Sequence, residues 1–80
     1  MTTKEFFDEV YLKLVDENIY LEDLKKYSHI ISTKYRENFG MSKAWLEFHK
    51  HFKVITSTKD KDVLLYLTMM VKDLSEFYDS

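Results

Sequence analysis

Large apolar side chains return every three or four residues through four successive stretches of this 80-residue chain, a rhythm that belongs to amphipathic helices rather than strands. Over roughly residues 3 to 18, Phe6, Phe7, Val10, Tyr11, Leu14 and Val15 share one half of the helical wheel, with Asp8, Glu9, Lys13 and Asp16 on the other. Leu12 falls among the acids. Thr2 and Glu5 have the spacing of a capping box, which offers acceptors to the amide donors of a helix start. The second stretch, roughly 20 to 38, sets a stripe of Tyr20, Leu24, Tyr27, Ile31 and Tyr35 against Lys25, Lys26, His29, Thr33 and Arg36. Gly40, the only glycine, is expected to end that helix in the left-handed backbone conformation.

Ser42 is a good cap for a third helix over about 42 to 53, whose inner face carries Met41, Ala44, Trp45, Phe48 and Phe52. Lys43, Glu47 and Lys50 then point to water. His49 and His51 flank the inner face on opposite sides, because two residues along a helix are separated by about 200°. The β-branched run "VITST" is expected to leave the helix, with Ser57 or Thr58 capping a fourth one over about 59 to 78 that carries Asp60 and Asp62 in its first turn. That helix buries Val63, Leu64, Leu67, Met70, Val71, Leu74 and Phe77 on one arc. Leu65 and Met69 lie nearly opposite, four residues apart, so they form one exposed apolar spot with Tyr66 at its edge.

Four helices with short connections predict an all-α fold: a small antiparallel four-helix bundle over residues 1–80 as a single domain, or a three-helix core plus one docked helix. A domain of this size buries only a little over ~60% of its unfolded surface. The apolar fraction of 45% is still enough to offset ordering entropy, so a folded globule is expected. Cysteine is absent, which excludes disulfides, thiolate metal sites and a cysteine nucleophile. With acids near the N-terminus where a signal peptide would be apolar, and no run approaching the ~20 residues of a membrane span, the chain reads as cytoplasmic with no membrane partner. Abundant Lys, Phe, Tyr and Ile beside single Gly, Ala and Arg residues point to an AT-rich source: a low-GC bacterium, a phage or a mobile element.

Charge is segregated along the chain. Residues 1–23 carry seven acids and two bases, residues 24–56 two acids and seven bases, and residues 57–80 five acids and three bases. The middle third is therefore basic between two acidic flanks, which suits attraction between neighbouring helices and also offers a basic face, Lys25, His29, Arg36, Lys43, Lys50 and Lys53, to an acidic partner.

Motifs for catalysis are missing. No glycine-flanked serine elbow is present, a single glycine builds no phosphate cradle, and neither HExxH nor a Glu with His three residues on occurs. Glu47 and His51, four apart, have the spacing to pair or to touch one metal jointly, and a solvated ion pair is the expectation. No enzymatic activity, cofactor or metal is expected. The stretch "YRENFGMSKAWLEFHKHF" resembles a helix-turn-helix: Gly40 in the turn between Phe39 and Met41, Ser42 opening a second helix, Leu46 as an internal apolar residue. Arg36 stands where that motif packs a small residue, and His49 where it packs an aliphatic one. The resemblance implies Lys43, Lys50 and Lys53 near phosphates or bases, with Lys25 and Arg36 on the backbone. Against it, one arginine is few for base readout, and the net charge of −2 opposes nonspecific phosphate binding.

The favoured expectation is a non-enzymatic regulator, inhibitor or immunity-type protein, of bacterial or phage origin, that docks a protein partner or forms a homodimer. Leu12, Leu65, Tyr66 and Met69 would carry the interface. A helix-turn-helix-like DNA-binding regulator using the basic face is the alternative.

Overall fold

A computed structural model describes residues 1–16, 18–53 and 59–79. Four helices follow in order: α1 (Thr3–Val15), α2 (Leu21–Phe39), α3 (Lys43–Phe52) and α4 (Lys61–Asp79), with no strand among the described residues. The protein is a small all-α bundle. No helix among the described residues is long and apolar enough to cross a membrane.

Four of the described helix boundaries have a clear local cause. The Thr2 side chain accepts the Glu5 amide at 3.2 Å and the Ser42 side chain that of Trp45 at 3.3 Å, so both expected caps form. Gly40 closes α2 by donating its amide to Arg36 O at 2.9 Å. Its φ of 68° and ψ of −152° lie in the region open essentially to glycine, and not in the left-handed helical well expected from sequence. At α4, Asp60 is the cap: one carboxylate oxygen accepts from the amides of Asp62 at 2.8 Å and Val63 at 3.3 Å. The expected departure of "VITST" and its caps Ser57 and Thr58 lie outside the described residues.

Helix α4 packs on all three others, most extensively on α1, then α3, then α2. It sits in the middle of the bundle and not at one corner of a square, and the molecule is flattened to 36 × 27 × 15 Å. Helix α1 runs against α4: Phe7 stacks on Tyr78 at 5.9 Å, and the Ser75 hydroxyl donates to Asp8. The C-terminal end of α2 meets the same end of α4, where Tyr35 donates to Asp73 at 3.1 Å and Asn38 to the Tyr78 oxygen at 3.0 Å. Helix α3 folds back along α2, and its Trp45 indole N–H donates to Ser32 O at 3.1 Å.

The core is built from Phe7, Val10, Leu14, Leu24, Ile31, Phe48, Val63, Leu67, Met70, Val71 and Leu74, all essentially solvent-free, with Ile19, Tyr35 and Trp45 beside them. Several residues assigned by periodicity to the inner faces are exposed: Tyr11, Val15, Tyr20, Met41 and Phe77. Tyr20 and Met41 stand outside the helical spans, and Val15 is the last residue of α1, so no neighbouring helix covers them. Tyr11 sits on the flank of α1, and Phe77 is covered only in part, by Phe39 at 5.6 Å and Tyr78 at 5.1 Å between ring centroids.

Candidate functional site

The contact between α1 and α4 builds one broad outer face. Asp8 and Ser75 fix the pairing, and Tyr11 lies beside Lys72, Ser75 and Glu76 along a shallow groove of about 300 Å³. Because the helices are antiparallel, the α1 row that continues from Asp8 and Tyr11 to Leu12 and Val15 runs alongside the outer row of α4, Glu76, Lys72, Met69 and Leu65. Leu12 is 66% exposed, Val15 52%, Leu65 57% and Met69 46%. The structure therefore leaves Leu12, Leu65 and Met69 open to solvent and adds Val15 and Tyr11 to them. Tyr66 differs: it is half-buried, its ring parallel to that of His51 with centroids 6.2 Å apart. It belongs to the α3–α4 contact, so the apolar area extends from Leu65 and Met69 toward α1 and not toward Tyr66.

Electrostatics on that face are set at Asp8. Its carboxylate accepts from the Ser75 hydroxyl and from Lys4 Nζ at 2.9 Å, and these two bonds, Ser75 first, hold its pKa below the ordinary carboxylate value. The same contact raises Lys4. On the same two helices Glu5, Glu9, Asp16 and Glu76 are exposed, as is Lys72 within the outer row of α4.

The basic residues are divided between two helices. Lys25, His29 and Arg36 share a stripe of α2, while Lys43 and Lys50, seven residues apart, lie on the outer side of α3, and Lys53 caps its end. His29 and Arg36 instead meet α3 across a cleft of about 490 Å³, lined also by Ser32, Thr33, Glu37, Trp45 and His49. The helical wheel puts His49 on the flank of α3 but does not give its partners. The retrievable signal is the 29, 32, 33, 36 spacing on α2 opposite 45 and 49 on α3.

Within the cleft, His49 Nε2 and Ser32 Oγ are 2.8 Å apart, and the His49 and Trp45 rings lie 4.0 Å apart by centroid. The Arg36 guanidinium stands over Trp45 at 5.4 Å. Desolvation against these neighbours, and secondarily the Arg36 charge, lowers the His49 pKa, so the imidazole is neutral at neutral pH. The Ser32 and His49 pair ties α2 to α3.

At the other edge of α3, His51 approaches the start of α4. One donor atom each from His51, Asp60 and Asp62 lies within 4.8 Å of the other two. No protein-family model, curated protein or solved structure matches this chain.

Proposed function

We propose that this protein works by binding another protein through the outer face of α1 and α4, as a small regulator or inhibitor. The observation that carries the reading is the exposure of Leu12, Val15, Leu65 and Met69 on two helices held in register by Asp8 and Ser75. Scattered surface apolars are ordinary in a monomer, but here four large ones lie on the outward rows of two packed helices. Covering their exposed portions contributes about 1 kcal/mol each.

The charge on these helices selects the partner. Exposed acids Glu5, Glu9, Asp16 and Glu76 outnumber exposed Lys72 on these helix faces, and residues 1–23 carry seven acids against two bases. A two-fold homodimer would set this acidic excess against itself. A partner with an apolar centre and a basic rim satisfies both features.

A DNA-binding reading has its own support in Lys43 and Lys50, which are exposed on one side of α3. The two readings separate in one experiment. Leu65→Glu with Met69→Glu is expected to abolish capture of a protein partner while Lys43→Glu with Lys50→Glu leaves it intact. The reverse pattern, with duplex DNA affinity that falls steeply as salt rises, would favour the nucleic-acid reading.

A further inference from the structure

Three side chains at the junction of α3 and α4 have the chemistry of a metal site that the protein-binding reading does not use. His51 comes from the last turn of α3, Asp60 from the cap of α4 and Asp62 from its first turn. Their donor atoms lie within 4.8 Å of one another. Bonds of about 2.0–2.2 Å from imidazole and carboxylate to one ion require donors roughly 3–3.5 Å apart, a closure that small side-chain rotations supply. Asp60 is already oriented, since the amides of Asp62 and Val63 both bond one and the same of its carboxylate oxygens. Ligating carboxylates are commonly held in this way by a hydrogen bond from behind. The parallel contact with Tyr66 likewise restrains the His51 ring.

We infer that His51, Asp60 and Asp62 bind one divalent cation of the zinc class, closing the end of α3 onto the start of α4. The imidazole decides the class: magnesium and calcium prefer all-oxygen sites, whereas a nitrogen with two carboxylates suits zinc, cobalt or nickel. Two carboxylates balance the charge of the ion, and three protein donors leave positions for water. An ion that joins the end of α3 to the start of α4 binds the folded chain alone, so metal binding and thermal stability are linked.

The test is titration of the full chain with zinc chloride by calorimetry, with cobalt(II) absorption and thermal melting in parallel. One-to-one binding is expected, with a melting temperature that climbs as zinc increases and a visible cobalt band of fewer than six ligands. Magnesium produces neither effect. His51→Ala and, separately, Asp62→Asn should each weaken zinc binding at least about tenfold with the helical spectrum intact. Asp62 is exposed, so its variant remains informative if His51→Ala disturbs the contact with Tyr66. His29→Ala, His49→Ala and Glu47→Gln should bind as the parent does. Absence of saturable zinc binding overturns the assignment, as does binding that survives both ligand variants or is lost with His29→Ala or His49→Ala.

Discussion

The Ser75 hydroxyl of α4 donates to the Asp8 carboxylate of α1 across 67 residues of chain. The bond sets where one helix lies along the other, and thereby which outward residues become neighbours. Tyr11 falls beside Lys72, and Val15 follows toward the Leu65 end of α4. The apolar face is thus a product of helix register as much as of composition.

Acid stability should report on the same contact. The Asp8 pKa is lower in the folded chain than in the unfolded one, because Ser75 and Lys4 hydrogen-bond its ionised form. Its contribution is complete above the ordinary carboxylate range and is lost as pH falls through the folded value. Urea denaturation from pH 2 to 7 should therefore show a shallower acid limb for Asp8→Asn than for the parent. An unchanged limb would mean the carboxylate gains nothing from its partners.

Exposed and buried leucines two residues apart on α4 should part sharply. Leu67 is fully buried, so Leu67→Ala is expected to cost about 2–5 kcal/mol by chemical denaturation. Leu65→Glu leaves no cavity and buries no charge, and it should stay within about 0.5 kcal/mol of the parent. A large loss at Leu65 would indicate that the monomer itself covers that side chain.

Gly40 offers a backbone test. A Cβ there would meet nothing within 4 Å, so any cost of Gly40→Ala comes from the φ of 68° and ψ of −152°. That cost should be about 1–3 kcal/mol in the denaturation midpoint analysis. Asparagine, which relieves strain in the left-handed helical well, should do no better than alanine here; a rescue by Gly40→Asn would show that the turn relaxes into that well.

The pairing of His49 with Trp45 makes the single tryptophan a reporter. The folded imidazole has a lowered pKa, so the unfolded chain binds the proton more readily, and stability should fall as pH drops below the ordinary imidazole value. Protonated imidazole quenches indole, and the rings are 4.0 Å apart, so Trp45 fluorescence should fall over a pH range below that of a free histidine. His49→Gln should remove that step in the fluorescence titration, whereas His29→Gln and His51→Gln should leave it.

Periodicity made the four helices legible because each has a stretch of inward residues that only a helix aligns, as in Leu24, Ile31 and Tyr35 of α2. Capping chemistry did the same for Thr2 and Ser42, where a hydroxyl lies next to the first free amides. A wheel does not say which helices are neighbours. Tyr11 and Val15 therefore read as interior, although the central α4 leaves that flank of α1 open. The cleft of His29, Ser32, Arg36 and His49, and the approach of His51 to Asp60 and Asp62, join residues from different helices. Their positions depend on how α3 folds back along α2 and α4, which no single-helix pattern encodes.

The α1 and α4 face carries the proposed function. Its most direct test is the affinity of the purified partner for the parent chain and for the Leu65→Glu, Met69→Glu double variant, each first shown to have the same helical spectrum and denaturation midpoint. A loss of at least about 100-fold is expected, in line with two central contacts removed from one interface. Equal affinity for both proteins, within about threefold, would contradict the assignment of this face as the binding surface.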